Sequence, residues 1–136
     1  MKRFTISIFL TYTLFAGIAS CKKTTTNLTI TDGTYKGTFQ RQILGIGNIA
    51  KVTLVFNSNN WTGQSDTPKY PALCNGSFQT NGIHEVSFTN NCFWTADFDW
   101  TLILDQKFRL QISGNDYVLT KDYGNGTKDI YKLTNY

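Results

Sequence analysis

The sequence is short of several things, and each shortage excludes a class of chemistry. A single histidine, His84, stands in 136 residues, so any imidazole catalysis has to pass through that side chain. His84 sits beside Glu85 in an alternating stretch, and no serine lies in a G-x-S-x-G setting, which argues against a serine hydrolase. Cysteine occurs three times, at 21, 74 and 92, and never as C-x-x-C, so neither a zinc site nor a dithiol redox motif is expected. Gly45-Ile46-Gly47 lacks the G-K-[ST] ending of a phosphate loop and reads as a turn. Proline is limited to two residues, and Ala, Glu and Leu are sparse. Beyond residue 21 no window sustains a 3.6-residue apolar period, so helices find little support. No cofactor or metal ligand set is expected, and the chain reads as non-catalytic.

Positive charge is scarcer than the whole chain suggests. The sequence carries 13 basic and 9 acidic residues, but Lys2 and Arg3 fall in the first 20 residues, a segment expected to be removed. The chain from Cys21 onward keeps 11 basic residues against 9 acidic ones, a net charge of +2. No basic stripe remains, and nucleic-acid binding is not expected.

What is present begins at the N-terminus. Lys2 and Arg3 precede a mostly apolar, uncharged run, which closes in Gly17-Ile18-Ala19-Ser20-Cys21. Charge, apolar length and small residues before the cut describe a signal peptide over residues 1–20. The uncharged stretch from Phe4 to Ser20 is 17 residues, short of the roughly 20 that a spanning helix needs. Ending on Cys21, the segment resembles the lipobox of bacterial lipoproteins. That resemblance implies cleavage before Cys21, acylation of its thiol, and attachment to a membrane through the acyl chains. Residues 21–32 then read as a polar tether, and the pair Cys74 and Cys92 is expected to form a disulfide in an oxidising compartment. Lys22 stands where an Asp would suggest inner-membrane retention. The resemblance therefore points to the outer membrane, facing the periplasm, with the cell surface as the other option.

The rest alternates. Tyr35, Gly37 and Phe39 share one face of the first strand, and Val52, Leu54 and Phe56 share one face of the second. After a short third strand at 61–65 comes an irregular stretch, 66–75, whose two prolines exclude a central strand. A hairpin turning at Asn81-Gly82 follows. Phe98 to Leu104 alternates cleanly and predicts a strand with Phe98, Trp100, Leu102 and Leu104 facing in, which makes Trp100 a core residue. Phe108, Leu110 and Ile112, then Tyr117 and Leu119, then Tyr131 and Leu133 continue the pattern. The expected fold is all-β: an antiparallel up-and-down meander of about eight or nine strands over residues 33–136, closed into a small barrel.

Gly33-Thr34-Tyr35 resembles the G-x-W start of lipocalins and related calycin barrels, with Tyr in place of Trp. Tyr70-Pro71-Ala72-Leu73-Cys74 and Ala96 to Leu102 are similar to small calycin-like lipoproteins of Gram-negative bacteria. The resemblance implies a lipid-anchored barrel that binds a small apolar or amphipathic ligand or a partner protein. The alternative is an interaction lipoprotein whose barrel is filled by its own side chains. Small barrels bind at the open end, and Trp61, Tyr70, Phe93 and Trp94 are the candidate ligand-binding residues. For Trp61 and Trp94, packing beneath the 66–75 loop is the competing role. Asp97 and Asp99, two apart on one strand face, could serve acid–base chemistry or calcium, against the simpler role of a solvated face.

Overall fold

Backbone pairing and side-chain alternation together draw the chain into a ring. The computed structural model describes residues 28–136; the expected signal peptide (residues 1–20), Cys21 and the expected tether as far as residue 27 lie outside the described residues. Eight strands follow in order: β1 (Gly33–Ile43), β2 (Ile49–Asn57), β3 (Asn60–Ser65), β4 (Asn75–Asn81), β5 (Glu85–Asn90), β6 (Gln106–Ser113), β7 (Asp116–Asp122) and β8 (Thr127–Asn135). Each is antiparallel to the next, and β8 returns to pair with β1, so the sheet closes as an up-and-down barrel without a free edge. Among the described residues there is no α-helix, only a short 3-10 turn at Trp100–Leu102.

The inward faces are those the alternation predicts. Tyr35, Phe39, Val52, Leu54, Phe56, Phe108, Leu110, Leu119, Tyr131 and Leu133 are all buried. Every strand contributes an aromatic ring: Tyr35 from β1, Phe56, Trp61, Phe78, Phe88, Phe108, Tyr117, and Tyr131 from β8. The rings meet edge to face across the interior, with Tyr35 against Phe56 at 5.1 Å, Phe88 against Phe108 at 5.8 Å and Phe108 against Tyr131 at 5.8 Å between centroids. An eight-stranded barrel has an interior just wide enough for side chains to fill or for one small ligand. Here the side chains fill it.

One expected strand is absent. Phe98–Leu104 does not pair as a strand, and Trp100 is 57% exposed, not in the core. The reason is local. The Asp99 carboxylate accepts from the Thr101 backbone N–H at 2.9 Å and from its hydroxyl at 2.6 Å, capping a turn instead of leaving the backbone free for a ladder. The far end of the segment reaches inward, where Leu102 packs against the core and Leu104 is fully buried. Ahead of β1, Leu28 and Ile30 also pack onto the core.

The two ends differ. Residues 28–32 and the β2–β3, β4–β5 and β6–β7 turns lie at one end, where the Tyr35 hydroxyl donates to the Thr31 carbonyl at 2.8 Å. The β1–β2, β3–β4, β5–β6 and β7–β8 connections gather at the other, hereafter the loop end. There Cys74 and Cys92 are joined by a disulfide, which ties the entry of β4 to the segment leaving β5.

Candidate functional site at the loop end

The loop end is built on a charged pair that faces inward. Tyr35, Gly37, Phe39 and Arg41 share one side of β1, and Asp129, Tyr131 and Leu133 share one side of β8; Arg41 stands directly opposite Asp129 in the register. The guanidinium grips the carboxylate with two bonds of 2.7 Å, Nε to Oδ1 and Nη2 to Oδ2. Such a fork is the strong form of the ion pair. The Tyr123 hydroxyl donates to the same carboxylate at 2.8 Å. The other edge of the guanidinium reaches the β5–β6 loop, donating to Asp99 Oδ2 at 2.7 Å, to the Thr101 hydroxyl at 2.8 Å and to the Thr101 carbonyl at 3.1 Å. Burial works against the Arg41 charge, but the hydrogen-bonded Asp129 outweighs it and raises the guanidinium pKa. Burial and the neighbouring Asp129 likewise push the Tyr123 phenol well above its usual range.

Two loops are sewn together over this layer. Ala72 in the β3–β4 loop donates to the Leu102 carbonyl at 3.0 Å and accepts from the Leu104 N–H at 3.2 Å, forming a single parallel bridge. Lys69 binds the Asp97 carboxylate at 2.7 Å and the Thr95 hydroxyl at 3.0 Å. The mouth of the barrel is therefore covered by its own loops, with Leu104 beneath and the Arg41 network to one side.

The four candidate residues are divided by this arrangement. Trp61 is 1% exposed in the core, with its indole N–H donating to the Thr89 carbonyl at 3.3 Å. Gly76 makes room for that ring, since a Cβ there would lie 2.8 Å from the indole nitrogen. Tyr70 is half-buried against Phe39 at 5.2 Å; its hydroxyl accepts from the Arg41 N–H and donates to the Asn48 carbonyl. Phe93 is fully exposed, and Trp94 is half-buried with its ring 5.6 Å from Phe98. So Phe93, Trp94 and Tyr70 share the loop end, while Trp61 does not join them. Trp100 does: its ring is exposed yet held in place by an indole N–H donated to the Thr95 carbonyl at 3.1 Å.

The chemical inventory is that of a surface. Asp97 and Asp99 are each claimed by a cation, Lys69 and Arg41. The Lys69 ammonium and the Thr95 hydroxyl hold the Asp97 carboxyl down to about 2. Among the described residues no cluster of three ligating side chains is placed to hold a metal ion. A groove of about 590 Å³ crosses β5, β6 and β7, lined by His84, Glu85, Lys107, Arg109, Lys121 and Lys128 among others. Arg41 and Asp129 were not among the residues that sequence reasoning selects. Their signal was parity: both continue the inward half of an alternating strand, in positions where a charge is normally read as solvent-facing. No known protein family matches the chain, nor does any curated protein or any solved structure.

Proposed function

We propose that this chain is a calycin-like, lipid-anchored, non-catalytic barrel that works through its loop end by binding a partner protein, its interior serving only stability. The observation that carries this reading is the contrast between a filled lumen and exposed aromatics. Rings from all eight strands occupy the interior, while Phe93 and Trp100 stand out from the loop that caps it. A half-exposed tryptophan whose indole nitrogen is already bonded presents a pre-ordered apolar surface, the kind of anchor that dominates protein interfaces. The split of Asp97 and Asp99 between two cations supports a non-catalytic role. Anchorage rests on the lipobox-like leader ending at Cys21, with the outer membrane as the expected site.

Two experiments test this. Labelled palmitate is expected to enter the wild-type chain and not Cys21→Ala; label surviving that change sinks the anchor. For the binding face, Phe93→Ser with Trp100→Ser should abolish cross-linking to a partner in the envelope while leaving the melting temperature within a degree or two. Native mass spectrometry that finds a small molecule retained in the barrel would return the function to the lumen.

A further inference from the structure

The β1–β2 connection carries an exposed apolar tip that neither core packing nor the partner surface explains. Ile43, Leu44, Ile46 and Ile49 are 60%, 82%, 81% and 66% exposed. Ile43 and Ile46 exchange backbone hydrogen bonds of 2.8 and 3.1 Å around Leu44-Gly45, a two-residue hairpin turn. Both turn residues have positive φ, 51° for Leu44 and 87° for Gly45. That geometry favours Asn-Gly, and a leucine held left-handed is strained. A strained residue at the summit of a loop, with its side chain in solvent, is stability set aside for something else.

We propose that this tip inserts into the acyl region of a lipid bilayer. Four features select lipid. First, no charged residue occurs between Arg41, which is engaged by Asp129 and Asp99, and Lys51. Second, part of the tip's backbone is already bonded. Besides the Ile43–Ile46 pair, the Leu44 N–H donates to the Gly126 carbonyl at 2.9 Å, the Gln40 side chain donates to the Gly47 carbonyl at 2.8 Å, and the Tyr70 hydroxyl covers the Asn48 carbonyl at 2.9 Å. Each bond made within the protein lowers the cost of bringing backbone toward hydrocarbon. Third, apart from Asn48 the tip carries only aliphatic side chains and glycine, without the Trp, Tyr or Arg that anchor protein interfaces, and its seven residues fall short of the roughly 20–30 a side that a standard interface uses. Fourth, cations follow the tip: Lys51 comes two residues after Ile49, and Lys128, paired with Asp122 at 2.9 Å, lies just past the Gly126 carbonyl to which Leu44 donates. The tip is at the opposite end of the barrel from residue 28, so acylation at Cys21 would not by itself place it in lipid, and the inference does not depend on that anchor.

The test uses the chain from residue 21 onward, without the 1–20 leader and carrying Cys21→Ala, floated with vesicles of phosphatidylethanolamine and phosphatidylglycerol, and with phosphatidylcholine vesicles. The chain is expected to float with both, and Leu44→Asn with Ile46→Asn should cut the bound fraction at least tenfold. The melting temperature of the variant should hold or rise, because Asn suits the left-handed turn. Failure to float, or flotation indifferent to the two substitutions, overturns the proposal. So does binding restricted to anionic vesicles and lost in high salt, which would be adsorption by lysines. A concentration-dependent dimer that the same substitutions dissolve would assign the tip to a second copy instead.

Discussion

Among the described residues, Arg41 and Asp129 are a charged pair drawn into the interior face of the barrel wall, and their side chains are 11% and 3% exposed. Taking two charges out of water is costly, and the geometry offsets that cost through the two-bond fork and the Tyr123 hydroxyl. Removing one partner leaves the other buried and uncompensated. Arg41→Met should therefore destabilise the fold by about 3–5 kcal/mol in urea denaturation. Made in an Asp129→Leu background the same change should cost clearly less, because no orphaned carboxylate remains. Equal costs in both backgrounds would mean that the pair is not coupled. The two tryptophans make the complementary case. Trp61→Ala removes a ring from the packed interior and should cost about 3–5 kcal/mol. Trp100→Ala, exposed above the 3-10 turn, should cost far less.

At the scale of elements, the strands were legible and the long loops were not. Period-two alternation is imposed by the backbone pleat, so Val52, Leu54 and Phe56, or Phe108 and Leu110, declare their inward face without help from the rest of the chain. Phe98–Leu104 shows the same pattern, but Asp99 and Thr101 offer the backbone a closer partner than a neighbouring strand does. Pattern alone cannot distinguish those outcomes. The Cys74–Cys92 bridge, expected from the even pair, closes a loop with a sequence separation of 18. Replacing both cysteines by alanine should lower stability by about 3 kcal/mol in the chain-entropy account, read as a shift in the denaturation midpoint. The β5–β6 loop should also respond to acid. Hydrogen bonds from Lys69 and Thr95 hold the Asp97 carboxyl down to about 2, and those from Thr101 and Arg41 lower that of Asp99. A depressed carboxylate contributes stability above its ordinary value near 4 and loses it as pH falls toward 2. Between those limits the fluorescence of Trp94 and Trp100 should change before the far-ultraviolet signal of the barrel does. Simultaneous changes would show that the loop is not a separate unit.

For the molecule as a whole, closure decides what the strands together can do. Eight inward faces, each with a ring, bring Tyr35, Phe56, Trp61, Phe88 and Tyr131 together in the lumen. Burial pushes the Tyr35 phenol up to about 12, and burial also raises those of Tyr123 and Tyr131. In the unfolded chain these phenols ionise near 10. The folded state therefore keeps protons that the unfolded state has lost, and stability present below pH 10 declines as pH rises toward 12. Absorbance at 295 nm should show Tyr35, Tyr123 and Tyr131 ionising only as the barrel opens. Ionisation of these three with native structure intact would contradict the packing.

By itself the sequence determined the fold class, the inward residues of nearly every strand and the cysteine pairing, because alternation and turn chemistry act between neighbours in the chain. Tertiary structure decided the rest. Arg41 meets Asp99 and Asp129 across separations of 58 and 88 residues, Trp61 is sealed in while Trp100 is left out, and an uncharged hairpin tip stands clear of the core. Those outcomes depend on which loops arrive at the same end once β8 closes on β1. That is a property of the closed ring, which no local pattern encodes.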